Sequence, residues 1–155
     1  MIDETSERLA IEALVAEFAW RIDHGEAARV PELFTQDGRF AVPGSAVEGQ
    51  DQLAEAFSAR ERQSHTTRHV CTNLRLEILA EDRARGTVLV TLYRHDRERL
   101  GELTPFAVND YEDRYERGVD GRWRFAERCV VPIFTRPAAE EDAAPETRSS
   151  RTRRA

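Results

Sequence analysis

Between residues 66 and 134 the sequence carries four long runs of alternating apolar and polar residues, separated only by short turns. Thr66 to Ala80, Arg83 to Arg97, Leu103 to Arg117 and Arg122 to Phe134 read as strands, joined by Glu81-Asp82, Glu98 to Gly101 and Gly118 to Gly121. Strands connected this tightly pair antiparallel, because a parallel partner needs a crossover of a dozen residues or more. The part of the chain before them reads as helical. Ile11, Leu14, Val15, Phe18 and Ile22 share one helical face, with Thr5 or Ser6 placed to cap the start and Gly25 to stop the end. Glu26 to Phe34 contains Pro31 and predicts a short or split helix. Gln36-Asp37-Gly38 reads as a turn, Arg39 to Val42 as a brief strand stopped by Pro43-Gly44, and Gln50 to Arg62 as a third helix. Helices first and strands afterwards is the α+β pattern, here three N-terminal helices packed on one side of a curved, mostly antiparallel sheet.

A chain of 155 residues that is 40% hydrophobic and 34% charged is long enough to bury a core without metals or disulfides. That core belongs to one domain, residues 1–135. From Arg136 to Ala155 there is no large apolar residue, so this tail cannot offset its ordering entropy and is expected to be disordered. A net charge of −6 argues against a nucleic-acid partner. No run approaches the ~18 apolar residues of a membrane span. The acidic start, Met1-Ile2-Asp3-Glu4, leads straight into a helix and does not resemble a signal peptide. Cys71 and Cys129 fall inside apolar strand runs, as buried thiols do, so a reduced, cytoplasmic location is expected. All 23 basic residues are arginine, which removes Schiff-base chemistry, a pyridoxal phosphate anchor and a phosphate-loop lysine. No cofactor is implied.

The chemistry concentrates in the first long strand, Thr67-Arg68-His69-Val70-Cys71-Thr72-Asn73-Leu74-Arg75-Leu76-Glu77-Ile78. Leu74, Leu76 and Ile78 share one face, yet His69 and Cys71 have the opposite parity. A bulge at Thr72-Asn73 would bring all five to one face, and Asn tolerates the backbone angles a bulge demands. His69 would then point into an apolar pocket, where an imidazole is suited to proton abstraction near neutral pH. Such a base needs a partner on its other ring nitrogen. Asp23, in the last turn of the first helix, sits where the helix dipole disfavours a carboxylate, and pairing with His69 would account for it. His65 shares the parity of His69 and could join Asp23 around a metal, but the spacing lacks any metal-site context and none is expected. Trp20, Phe34, Phe57 and Cys71 are candidate pocket walls, and Tyr93, Tyr111 or Tyr115 could supply a proton; alternation alone does not choose among the tyrosines.

Several blocks are shared with a known family. Trp20-Arg21-Ile22-Asp23, Leu33-Phe34-Thr35-Gln36-Asp37-Gly38, Gly49 before a helix, the His69 to Glu77 strand, Tyr115-Glu116-Arg117, Asp120-Gly121 and Trp123-Arg124-Phe125 occur in an order that resembles the SnoaL-like branch of the NTF2-like superfamily. The resemblance runs from about residue 8 to 135 and is greatest to hexachlorocyclohexane dehydrochlorinases, more distantly to scytalone and bile-acid dehydratases. It implies a cone-shaped α+β barrel with a deep pocket, and a dimer or trimer. It also implies an Asp-His dyad at Asp23 and His69, and a pocket arginine at Arg128. Where the dehydrochlorinases carry a helix lysine, this chain has Phe18. The expected function is therefore a lyase of dehydratase or dehydrohalogenase type, acting on a small apolar, cyclic substrate. The rivals are an isomerase or polyketide-cyclase-type enzyme in the same pocket, and a non-catalytic binding module.

Overall fold

The first helix is begun by a carboxylate rather than a hydroxyl. In the computed structural model, which describes residues 3–95 and 103–136, Asp3 accepts from the Thr5 N–H at 3.2 Å and from the Ser6 hydroxyl at 2.5 Å. The residues expected to cap are thus the donors, and the negative cap suits the positive end of the dipole. Helix α1 (Glu4–Asp23) buries Ile11, Leu14, Val15, Phe18 and Ile22 and lies across the sheet. It stops where expected: Gly25 takes φ +76°, and the Glu26 N–H reaches back to the Arg21 carbonyl at 2.9 Å, the closure an αL glycine permits. A 3-10 helix, Ala27–Leu33, follows with Pro31 inside it.

Strands β1 (Phe34–Val42), β2 (Ser45–Glu48), β3 (Thr66–Ala80), β4 (Arg83–His95), β5 (Ala107–Arg117) and β6 (Trp123–Thr135), with α2 (Gly49–Glu61) between β2 and β3, form one sheet in the order β2-β1-β6-β5-β4-β3. Only β1 against β6 is parallel. The fold is α+β with helices on a mixed, mainly antiparallel sheet, as expected. One local reading needs correction: Gln36-Asp37-Gly38 is an irregularity inside β1, not a turn between elements. Strand β1 stops before Pro43-Gly44 as expected, and the chain turns there into β2, an edge strand too short to announce itself. The expected tail lies, after Arg136, outside the described residues. Arg136 itself is tied to Phe106 through its N–H at 2.9 Å.

Two bulges decide which side chains face inward. In β3 the pairing with β4 slips between Thr72 and Arg75, and Asn73 takes φ +55°. His69, Cys71, Leu74, Leu76 and Ile78 consequently share the sheltered face, while Arg68, Val70, Arg75 and Glu77 are exposed. Gly86 on β4 makes room for this: a Cβ there would stand 2.8 Å from the Arg75 carbonyl oxygen. In β6 the pairing with β5 slips between Phe125 and Glu127. That extra residue puts Arg128 on the same buried face as Trp123 and Phe125. Because αL costs a non-glycine residue roughly 1–2 kcal/mol and more for a branched one, Asn73→Val should destabilise by at least that much in urea titrations. Asn73→Gly should be neutral or better. Equal stability of the valine and asparagine forms would show that the slip does not depend on this backbone conformation.

The core between helices and sheet is centred on phenylalanines. Phe18, Phe34, Phe40, Phe57 and Phe125 meet at ring-centroid distances from 5.2 Å (Phe40–Phe57) to 6.4 Å (Phe34–Phe40), mostly edge-on or tilted. Such pairs add about 0.5–1.5 kcal/mol each beyond the area they bury. The outer face of the sheet is a ladder of charges, Arg39 and Arg114 on Glu127 and Arg85 on Glu77, which contributes little stability. Among the described residues no helix is long and apolar enough to cross a membrane.

Candidate active site

The end of α1 and the start of β3 meet at one carboxylate. Asp23 Oδ1 lies 2.6 Å from His69 Nδ1 and accepts from the Thr67 hydroxyl at 2.8 Å. Its Oδ2 accepts the His69 backbone N–H at 2.7 Å. Both side chains are nearly withdrawn from solvent. Burial pushes the Asp23 carboxyl up, but the His69 ring, its backbone N–H and Thr67 together outweigh burial and hold it below the ordinary value. A carboxylate can only accept, so neutral His69 carries its proton on Nδ1 and leaves Nε2 with a free lone pair. The helix-terminal position of Asp23 is thus offset by three hydrogen bonds.

A folded-state pKa below the unfolded one adds stability that is present above the ordinary carboxyl value of 3.8 and is lost as pH falls through the lowered folded value. Asp23→Asn should therefore flatten the acid limb of the melting-temperature profile, losing less than the wild type as pH drops through that window. Parallel profiles would mean Asp23 has no special place in the acid stability.

His69 lines a cavity of about 230 Å³ whose walls are Phe18, Ile22, Phe40, Ala56, Phe57, Arg60, His65, Thr67, Leu92, Arg94 and Tyr111. Its floor rests on a buried charge pair. Arg128, fully buried, faces Asp113 across β5 and β6 and binds it through Nε at 2.8 Å and Nη2 at 2.7 Å. The Tyr115 hydroxyl donates to the same carboxylate at 2.7 Å. The guanidinium lies under aromatic rings, 4.1 Å from the Phe125 centroid, 4.4 Å from Phe18 and 5.0 Å from Tyr111. Burial opposes its charge, yet Asp113 more than compensates and the arginine is held firmly protonated. Among the described residues Arg128 Nη1 is buried without a hydrogen-bond partner. Phe18 covers this guanidinium and forms part of the cavity wall.

The expected wall residues separate. Phe57 and Tyr111 line the cavity; Phe34 is buried in the phenylalanine core behind it. Cys71 faces inward beside the Asn73 bulge, in a separate depression with Leu74 and Val88. Trp20 is not a wall residue: it is 54% exposed and stacks on His24 at 3.7 Å, because it lies off the apolar stripe of α1. Tyr93 is not one either, since it alternates with Leu92 and Arg94, which are the residues of β4 at the cavity. Of the three tyrosines only Tyr111 reaches the cavity. Burial raises its pKa to about 12, against the pull of Arg128. Burial also pushes the Tyr115 phenol upward, reinforced by Asp113.

Three site residues escaped the sequence reading. Thr67 could have been found as the inward neighbour two positions before His69, and Asp113 as the middle of the inward series Tyr111, Asp113, Tyr115 on β5. Arg60 shares a helical side with Leu53, Ala56 and Phe57, and a charge on that side was its signal. Among the described residues no group of three His, Cys, Asp or Glu side chains could hold a metal ion.

The SnoaL-like domain family matches residues 3–129 of the chain. The chain belongs to that family. This SnoaL-like chain is 28% identical over 148 residues to γ-hexachlorocyclohexane dehydrochlorinase of Sphingobium indicum, covering 93% of this chain and 92% of the relative. Among solved structures it is similar to LinA (TM-score 0.72, 25% identity, 92% of this chain and 97% of that one). It is similar also to a Mycobacterium tuberculosis protein of unknown function (TM-score 0.72, 27% identity, 84% and 74%). A candidate scytalone dehydratase from Novosphingobium aromaticivorans shares the fold (TM-score 0.76, 20% identity, 95% and 97%). An NTF2-like protein with a cystatin-like fold does so too (TM-score 0.69, 20% identity, 83% and 83%), so the architecture is NTF2-like.

Proposed function

We propose that the chain is a lyase that needs no cofactor and eliminates water or hydrogen halide from a small, largely apolar, cyclic molecule. The observation that carries this reading is the 2.6 Å contact between His69 Nδ1 and Asp23 Oδ1 at the wall of an apolar cavity. His69 Nε2 takes a carbon-bound proton. The C–H electron pair becomes the new double bond, and the neighbouring group leaves with its own electrons as halide or hydroxide. Asp23 fixes the tautomer and stabilises the imidazolium, which afterwards releases its proton to water. Tyr111, kept protonated by burial, donates to a departing oxygen. Arg128 supplies a fixed positive field beneath Phe18 and Tyr111, acting on developing negative charge without touching the substrate. The dehydrochlorinase relative supports elimination as the reaction type.

The test is to incubate the protein with polychlorinated cyclohexanes and with cyclic β-hydroxy ketones, each with and without a ring carboxylate, and to weigh the products. Loss of hydrogen chloride or water is expected. Products of unchanged mass with a shifted double bond would replace the lyase with an isomerase, and no turnover of either class would overturn the reading.

A further inference from the structure

Resting on that reading, we propose that the substrate carries a carboxylate and that Arg60 receives it. The cavity lining combines apolar side chains, Phe18, Ile22, Phe40, Phe57 and Leu92, with two arginines, Arg60 and Arg94. Arg94 faces Thr67 across β3 and β4 and also lies over the Phe106 ring. Among the described residues Arg60, near the end of α2, gives one side-chain hydrogen bond, to a neutral acceptor, Nη2 to the Thr67 hydroxyl oxygen at 3.0 Å.

Among the described residues no carboxylate lies within ion-pair distance of the Arg60 guanidinium. The other sheltered arginines are all paired, Arg21 with Glu17 and Glu32 and Arg128 with Asp113. Asp23 is near enough for its charge to be felt by Arg60, but both of its oxygens are engaged by His69 and Thr67. Burial holds the Arg60 guanidinium below the usual arginine range, and the Arg94 charge adds to this against the pull of Asp23.

A half-withdrawn guanidinium that, among the described residues, meets only a hydroxyl matches a planar anion. The two oxygens of a carboxylate fit that fork in a way that a hydroxyl or a halide does not. A cavity of about 230 Å³ lies below the size of drug-binding pockets and has room for one ring with its substituents. The ligand class is therefore an alicyclic or aromatic monocarboxylic acid. Thr67 hydrogen-bonds both Arg60 and Asp23, so the anion-binding group and the base are held in fixed relation. With its carboxylate on Arg60, the ring lies along the phenylalanines with one edge at His69.

Calorimetric titration with cyclohexanecarboxylate and with cyclohexanecarboxamide, its neutral near-isostere, tests this without any turnover. The wild-type protein should prefer the carboxylate by roughly ten-fold or more. Arg60→Gln should abolish that preference while changing carboxamide affinity by less than about two-fold, and Arg62→Gln, an exposed arginine at the same helix end, should keep it. Equal affinity for the two probes, no binding of the carboxylate, or loss of the preference in Arg62→Gln as well would each overturn the assignment. Repeating the titration in His69→Ala separates the two readings. Retained preference in a protein that eliminates nothing leaves Arg60 as a carboxylate site and removes only the lyase chemistry.

Discussion

His69→Ala should lower the rate of elimination by about 10²–10⁴-fold, the usual contribution of a positioned general base. Asp23→Asn should come close to it. The amide can present an N–H to His69 Nδ1, which stabilises the tautomer whose Nε2 already carries the proton, and an inverted tautomer costs on the order of 10⁴-fold in the Ser-His-Asp systems. The two losses should not multiply in the double variant, because both remove one unit of function. Circular dichroism and gel filtration establish that each variant is folded. Rates within about ten-fold of wild type in both would end the case for this pair as base and orienter. His69→Gln is the informative intermediate, since it fills the site and can hydrogen-bond Asp23 but cannot take a proton from carbon.

The largest stability effect should come from Asp113→Ala. It leaves Arg128, fully buried, without its counter-charge and takes the acceptor from the Tyr115 hydroxyl. Removing one member of a buried pair costs about 3–5 kcal/mol, because the survivor is an uncompensated charge in a poorly polarisable interior. Urea titration should show that loss with an unchanged m-value. Replacing both members, as in Asp113→Leu with Arg128→Met, should recover most of the stability, since a well-packed apolar pair of similar volume is often no worse than an ion pair. It should not recover elimination. Stability and activity would then part company at the same two positions, as expected if the pair persists for the field it sends into the cavity. A loss below about 1 kcal/mol for Asp113→Ala would show that water reaches Arg128.

The parts of the fold that could be read in the sequence are those governed by local periodicity. The α1 stripe, its stop at Gly25, the helix over 49–61 and the long strands all appear close to their expected limits. Even the β3 bulge was readable, because a parity conflict between His69 and Leu74 has only one inexpensive remedy. What local patterns could not show depends on partners distant in the chain. Asp113 is an acidic residue at an inward position, and its burial makes sense only once Arg128 stands opposite it on β6. Trp20 shows the converse error: its hydrophobicity argued for the interior, its helical position argued for the surface, and position prevailed. Tyr93 failed on parity in the same way. The first half of β1 was hidden because Gln36-Asp37-Gly38 has the composition of a turn while lying within a strand.

The Asn73 bulge also governs which genetic changes the strand can absorb. Upstream of it the inward residues are Thr67, His69 and Cys71, and downstream they are Leu74, Leu76 and Ile78. One residue keeps these two series in phase. Deleting a codon at 72 or 73 would leave every side chain chemically intact, yet either the base or the hydrophobic half of the strand would turn to the solvent. Length, more than identity, is what this segment cannot vary, and insertions or deletions there should be far more damaging than any single substitution on its exposed side.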